Sequence, residues 1–300
     1  MEDKITFVIP YVNGEDPVWR LAFKEAGGDY DDSMMHGWPR YKDCGTCELL
    51  LKSIEKYAPW ADVIMVLAMP SQIPDYAKGK NIKFIYHKDF LPREFQPCVF
   101  QSNAIETFIG RMNLPEYFIW MNDDMVFTNP VVPEDFFTEQ GEPRYTLWLE
   151  NDPKPTWSHG WNVSNFQLLF PTCGHPKTIK NHHGPTPMRM SWCKEFYNKY
   201  KKSLINSVGS IVERQTGQVN QMVYNLYSYI YKSTVSSELK GKCVVKKTII
   251  TPMFFNLYDW VCINENSNAG FDSRDSINKL RKHNETNQKT QTFPRSYFVS

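Results

Sequence analysis

The sequence predicts an α/β protein built on a mostly parallel sheet, and three observations carry that expectation. Apolar runs rich in β-branched and aromatic residues recur at 4–12, 61–68, 82–87 and 117–121. Segments with apolar residues at helical spacing lie between the first and second runs and between the third and fourth. The resulting order is strand, helix, strand, short connection, strand, helix, strand, which is that of βαβ units with parallel strands.

The first strand, Lys4 to Val12, ends in Asn13-Gly14-Glu15-Asp16-Pro17. Asn-Gly and Asp-Pro are turn chemistry that exposes backbone amides and short polar side chains, so this stretch is either a nucleotide pocket or a plain structural turn. Gly27 to Gly37 reads as a flexible loop. Cys47, Leu50, Leu51, Ile54 and Tyr57 share one face of a helix that Pro59 stops. Strands follow at Ala61–Ala68 and Ile82–His87, then a polar loop and a helix with Ala104, Ile105, Phe108, Ile109 and Met112 on its apolar side.

After the strand Tyr117–Met121, Pro130, Pro133 and Pro143 break any long element, and Arg144–Glu150 is a further strand. Asp152–Lys180 is rich in Pro, Gly, Asn and Trp, and irregular backbone over about 150–187 is where acceptor recognition is expected. Trp157 and Trp161 there are either sugar-stacking platforms or packing residues. Gln218–Ile230 puts Val219, Met222, Val223, Leu226, Tyr227 and Ile230 on one face and is a core helix. Cys243–Thr251 and Tyr258–Ile263 read as closing strands and Ser273–His283 as a short basic helix, all within one domain spanning 1–300.

Composition narrows the function classes. With 34 basic and 33 acidic residues the chain has no broad footprint for nucleic acid. No run approaches the length of a membrane span, and Met1-Glu2-Asp3-Lys4 lacks a signal peptide's start, so a cytoplasmic protein is expected. Seven scattered cysteines, with Cys44 and Cys47 the only Cys-x-x-Cys, argue for buried thiols rather than a zinc site.

The chemistry-bearing stretch is Asn122-Asp123-Asp124 at the carboxyl end of the fourth strand, where open α/β sheets bind ligands. Paired carboxylates in a cleft invite Mg²⁺ or Mn²⁺, because hard cations take oxygen ligands and bring phosphates with them; the same three residues also cap turns. In Lys180–Pro187, His182 and His183 lie in a backbone kept non-helical by Gly184, Pro185 and Pro187; such a His is a candidate general base or an ordinary surface residue. Arg214 lies just ahead of the 218–230 helix, where a guanidinium and free amides can hold an anion. Tyr258–Ile263 delivers Asn264-Glu265-Asn266 from an apolar run much as the fourth strand delivers Asn122-Asp123-Asp124, so the two ends are expected to meet.

Four stretches in this order resemble the Stealth family of sugar-phosphate transferases. They are Tyr11-Val12-Asn13-Gly14 with Asp16-Pro17; a long block from Arg40-Tyr41-Lys42-Asp43 through Ser102-Asn103-Ala104-Ile105-Glu106 to Asn122-Asp123-Asp124; His183-Gly184-Pro185, a helix and then Arg214; and Cys262-Ile263-Asn264-Glu265-Asn266. The resemblance implies a glycosyltransferase-A-like nucleotide-sugar-binding core, its mixed, mostly parallel sheet flanked by helices. It also implies transfer of a hexose-1-phosphate, typically N-acetylglucosamine-1-phosphate from a UDP-sugar, to a glycan hydroxyl in capsular or surface polysaccharide synthesis, with UMP released. By the same resemblance Asp123, Asp124, His183 and Arg214 are catalytic, and Asp124 and Asn264 hold Mg²⁺ or Mn²⁺. Asn13, Gly14, Asp16, Lys52, Ser102, Asn103 and Asn122 contact substrate, and the protein works peripherally at a capsule-assembly complex of the inner membrane. The alternatives are a conventional glycosyltransferase releasing UDP and a non-catalytic carbohydrate-binding protein.

The sequence departs from the family pattern at four positions. Thr6 stands where an acidic residue is usual, Lys52 replaces an arginine, Gln218 replaces a carboxylate, and Glu265 stands where Asp is frequent.

Overall fold

The structure is a computed structural model that describes residues 4–29, 38–145, 147–150, 164–165, 167–169, 178–181, 184–215, 217–244, 250–251, 253–263 and 274–286. Its strands are β1 (Thr6–Tyr11), β2 (Asp62–Leu67), β3 (Ile82–Tyr86), β4 (Tyr117–Trp120), β5 (Met125–Phe127), β6 (Arg144–Tyr145), β7 (Leu147–Glu150), β8 (Thr178–Asn181), β9 (Thr186–Arg189), β10 (Val235–Ser236), β11 (Gly241–Val244) and β12 (Trp260–Ile263). Its α-helices are α1 (Pro17–Glu25), α2 (Thr46–Tyr57), α3 (His87–Phe90), α4 (Ser102–Thr107), α5 (Met190–Ser207), α6 (Met222–Tyr231) and α7 (Arg274–Thr286).

The main sheet has the order β3-β2-β1-β4-β9. β1, β2, β3 and β4 are mutually parallel, and only β9 runs antiparallel, so the expected mixed, mostly parallel sheet is what forms. β1 is apolar almost throughout because both its faces are covered. Alternation sends Phe7, Ile9 and Tyr11 to one core and Val8 to the other; β4 likewise splits Ile119 and Met121 from Phe118 and Trp120. The first core is closed by α2, by α7 through Ile277 and Leu280, and by a second sheet of order β11-β12-β5. The other is closed by Ala104 of α4 and by buried residues of α5 and α6.

A third, aromatic cluster joins three distant pieces of chain. Trp19 and Phe23 of α1 stack at 5.1 Å, and Trp19 meets Tyr41 at 5.0 Å and Phe100 at 5.5 Å. It seats the loops ahead of α2 and α4 side by side.

Several expectations need correction. Lys180–Pro187 contains strand rather than only loop: β9 begins at Thr186, and Pro187 pairs with Ile119. A proline is tolerated there because β9 is an edge strand with one side out of the ladder. Arg144–Glu150 is two strands, the core helix starts at Met222 rather than Gln218, and α4 ends at Thr107 before a 3-10 turn at Ile109–Arg111. α1 was not anticipated; α5 is the helix expected between His183-Gly184-Pro185 and Arg214, and its buried face is Met190, Cys193, Phe196, Tyr197 and Leu204, a helical stripe diluted by lysines. Trp157 and Trp161 lie outside the described residues. Among the described residues no helix is long and apolar enough to cross a membrane.

Ser53 fastens α2 to the second sheet, its hydroxyl donating to Leu50 O at 2.7 Å and accepting from Phe127 N at 3.1 Å, fully buried. Ser53→Ala strands a buried amide and is expected to cost about 1–3 kcal/mol, read from the denaturant midpoint at unchanged slope.

Candidate active site

The strand order reverses between β1 and β4, and it is outside the carboxyl ends of the strands at such a switch point that open parallel sheets form a ligand crevice. Met121 N continues the ladder to Val8 O at 3.0 Å, and Met125 N then closes a tight turn onto Asn122 O at 3.2 Å. Asp123 and Asp124 are the two corner residues of that turn. Because β5 returns at once to pair with β12, Ile263 N donates to Asp124 O at 2.8 Å. The two polar strand ends therefore do meet as far as Ile263; Asn264 and Glu265 lie outside the described residues.

The turn is strongly acidic. Burial, then the neighbouring Asp124 and Asp43 carboxylates, push the Asp123 carboxyl well above the usual range. Asp43 is pinned in place: Tyr11 and Tyr76 donate their hydroxyls to its Oδ2 at 2.6 and 3.2 Å, and Gly45 N donates to Oδ1 at 2.7 Å. Asp124 Oδ2 accepts from the Cys262 thiol at 3.4 Å, while its Oδ1 is buried with no hydrogen-bond donor. An orphaned anionic oxygen beside a second carboxylate is a fitting ligand for a hard divalent cation. Among the described residues no three His, Cys, Asp or Glu side chains form a complete metal cage. Two carboxylates suffice for Mg²⁺ when substrate phosphates and water fill its other positions.

Within electrostatic reach of Asp124 stands a half-buried basic wall. Arg214 donates from Nη2 to Ser102 Oγ, at the start of α4. Burial and then the nearby Arg40 lower its pKa to about 10, which leaves it cationic at neutral pH; Glu106 and Asp124 act in the other direction. Arg40 is itself shifted down by burial. Glu106 accepts from Gln221 N at 3.1 Å, and burial raises its carboxyl to about 7 against the pull of that amide and of Arg214. Asp43 thus lies within electrostatic reach of Asp123, and Arg40 and Glu106 within that of Arg214, although sequence reasoning gave none of them a role. Their signal was membership of the stretches that carried the resemblance.

The remaining expected residues divide. Gly14 N donates to Tyr41 O at 2.7 Å, Gln72 exchanges hydrogen bonds with the Asn13 backbone, and the Asn13 side chain accepts from Glu15 N. Asp16 caps α1 through Val18 N and accepts from Ser71 and Gln72, which hold its carboxyl below the usual range despite burial. These three residues knit the turn after β1. Asn103 is buried with its Nδ2 lacking an acceptor, and Asn122 is half-buried. Lys52 instead lies on the exposed face of α2 in a salt bridge to Glu48 at 2.7 Å, one helical turn back; the spacing that buries Leu50, Leu51 and Ile54 turns it outward. His183 lies outside the described residues. Thr6 pairs with Phe118, five residues before Asp123 and roughly 16 Å down the strand, so that departure sits at the opposite rim of the sheet.

Glu106 gives the fold a pH signature. With its folded pKa raised from 4.5 to about 7, the native state binds more protons than the unfolded chain between those values, so this group's contribution to stability falls as pH rises through that window. Melting temperature followed from pH 4.5 to 7.5 is expected to drop for wild type relative to Glu106→Gln. Lys52→Ala is expected to shift stability by no more than about 0.5 kcal/mol in chemical denaturation, since an exposed i,i+4 pair contributes little.

Residues 40–145 match the family description Stealth protein CR2, conserved region 2. The receptor polysaccharide phosphotransferase WefC of Streptococcus oralis is 33% identical over 171 residues, covering 55% of this chain and 50% of that protein. The capsular polysaccharide phosphotransferase WcwK of Streptococcus pneumoniae is 33% identical over 175 residues, with 55% and 50% covered. The exopolysaccharide phosphotransferase cps2G of Lactiplantibacillus plantarum is 33% identical over 145 residues, with 47% and 41% covered. The chain spans about half the length of the curated relatives it matches. Among solved structures, the galactosyltransferase LgtC in complex with donor and acceptor sugar analogues covers 98% of this chain at 10% identity and a TM-score of 0.44. The block that holds Arg40, Asp43, Ser102, Glu106, Asp123 and Asp124 matches Stealth conserved region 2, and the chain is similar in sequence to polysaccharide phosphotransferases of streptococci.

Proposed function

We propose that this chain transfers a sugar-1-phosphate from a nucleotide sugar to a hydroxyl of an acceptor glycan, forming a phosphodiester in capsular or surface polysaccharide synthesis. The observation that carries the reading is the buried, unpartnered Oδ1 of Asp124 at the switch point, within electrostatic reach of the Arg214 guanidinium. A crevice with an acidic lip and a cationic wall suits a metal-bound pyrophosphate, whose charge needs both. The donor we favour is UDP-N-acetylglucosamine.

Asp124 and Asp123, with Asn264, would hold Mg²⁺ or Mn²⁺, which supplies charge neutralisation at the donor diphosphate. Ser102 orients Arg214 toward the phosphoryl group that moves, and Glu106 backs the guanidinium from behind. His183 accepts the proton of the acceptor hydroxyl as its oxygen attacks the phosphorus next to the sugar. The bond from that phosphorus to the bridging oxygen breaks, and UMP leaves. Phosphoryl transfer rests on positioning and charge stabilisation, which these side chains can provide without a covalent intermediate. The sugar keeps its anomeric configuration, since no bond at C1 is broken.

The test is incubation with UDP-N-acetylglucosamine, Mg²⁺ and a panel of capsular oligosaccharides, read by mass spectrometry. UMP and an added sugar-phosphate are expected; UDP and an added sugar would make the enzyme a conventional glycosyltransferase, and binding without turnover a carbohydrate-binding protein. Asp124→Ala is expected to lower turnover by about a hundredfold or more, and full activity in that variant removes the proposed site.

A further inference from the structure

The arginine of the basic wall lies in a loop, and loops hold a side chain firmly only when something else holds the loop. Residues 208–215 follow α5 and have no regular secondary structure. Gly209, with φ +59°, turns the chain at their start. Four backbone groups of this loop converge on one side chain, Gln218, which is only 1% exposed.

The Gln218 amide nitrogen donates to Val208 O and lies 3.4 Å from both Ser210 O and Glu213 O. Its Oε1 accepts from Gln215 N at 3.0 Å. One primary amide therefore contacts the loop at its start, middle and end, on both sides of Arg214. Other bonds anchor the same loop to the segment carrying Ser102. Phe100 N donates to Ile211 O at 2.7 Å, and Gln101 Nε2 donates to Ser210 O at 3.0 Å. Val212 packs against the aromatic cluster of Trp19, Phe23, Tyr41 and Phe100. The Arg214–Ser102 contact spans two segments that are thus already fastened together.

We infer that Gln218 is a positioning residue for the proposed transfer, acting through Arg214, and that its position demands a hydrogen-bond donor. The inference rests on the reading of Arg214 as the group that stabilises the moving phosphoryl. Three carbonyl oxygens face the Gln218 nitrogen, and only a group carrying N–H or O–H satisfies them. Methionine keeps the length and loses every donor. An ionised carboxylate would set negative charge against those carbonyls, whereas the protonated acid restores one donor.

The experiment compares wild type, Gln218→Met and Gln218→Glu, each also in an Arg214→Lys background. Turnover and donor KM are measured from pH 5.5 to 8.5 with UDP-N-acetylglucosamine, together with amide hydrogen exchange over 208–215. Gln218→Met is expected to lower kcat by about tenfold with a smaller change in donor KM, and to speed exchange at 212–215. Gln218→Glu is expected to approach wild type at low pH and lose activity as its new carboxyl ionises. Glu106 and Arg214 are present in both proteins, so the ratio of variant to wild type isolates that limb. In the Arg214→Lys background the Gln218 substitutions should cost much less.

Equal losses in both backgrounds, or a Gln218→Glu protein matching wild type across the pH range, would overturn the inference. Exchange needs no turnover: unchanged protection in Gln218→Met would also overturn it. If wild type transfers no sugar-phosphate, the functional reading fails while the exchange result still decides the loop's support.

Discussion

Like charge held at close quarters is the constraint around which this molecule is arranged. Asp123, Asp124 and Asp43 gather at the end of two parallel strands, and burial deepens their mutual repulsion. Nothing in the sheet itself favours such a cluster. It persists because each carboxylate is secured separately: Asp43 by two tyrosine hydroxyls and an amide, Asp124 by the Cys262 thiol and by the backbone of Ile263, Asp123 by its place in the turn. Buried polar strain of this kind concentrates where a protein does chemistry, since a ligand that brings positive charge releases it.

The opposite wall follows the same logic with the sign reversed. Arg40 and Arg214 are close enough for one to depress the other, and both are half-buried. Glu106 offsets part of that cost but sits where its own ionisation is resisted. The crevice is thus polarised before any substrate arrives, acids along the strand end and guanidinium groups on the loops ahead of α2 and after α5. Preorganised charge of this kind avoids the reorganisation that solvent would require during a reaction.

The four central strands were legible because each is a short apolar run between turn-forming residues, and parallel order followed from the helical spacing between them. Asp123 and Asp124 were legible for the same reason: they interrupt an apolar run abruptly. Asp43 and Glu106 were not, because their proximity to Asp123 and Arg214 exists only after residues tens of positions apart have packed. Lys52 shows the two kinds of reading side by side: the helical pattern turns it to solvent, while its link to the donor came from the resemblance alone. Gln218 looked like a weakened version of a carboxylate position, yet its amide makes contacts that a carboxylate oxygen cannot.

The aromatic stack under α1 has a consequence for how the molecule comes apart. Trp19 and Phe23 are clamped between Tyr41, one residue from Arg40, and Phe100, two residues from Ser102, with Val212 against the same rings. The first helix is therefore the clasp that gathers the three segments carrying Arg40, Ser102 and Arg214. Peeling it away would loosen all three of those segments in a single step, so the first helix and the basic wall should stand or fall together.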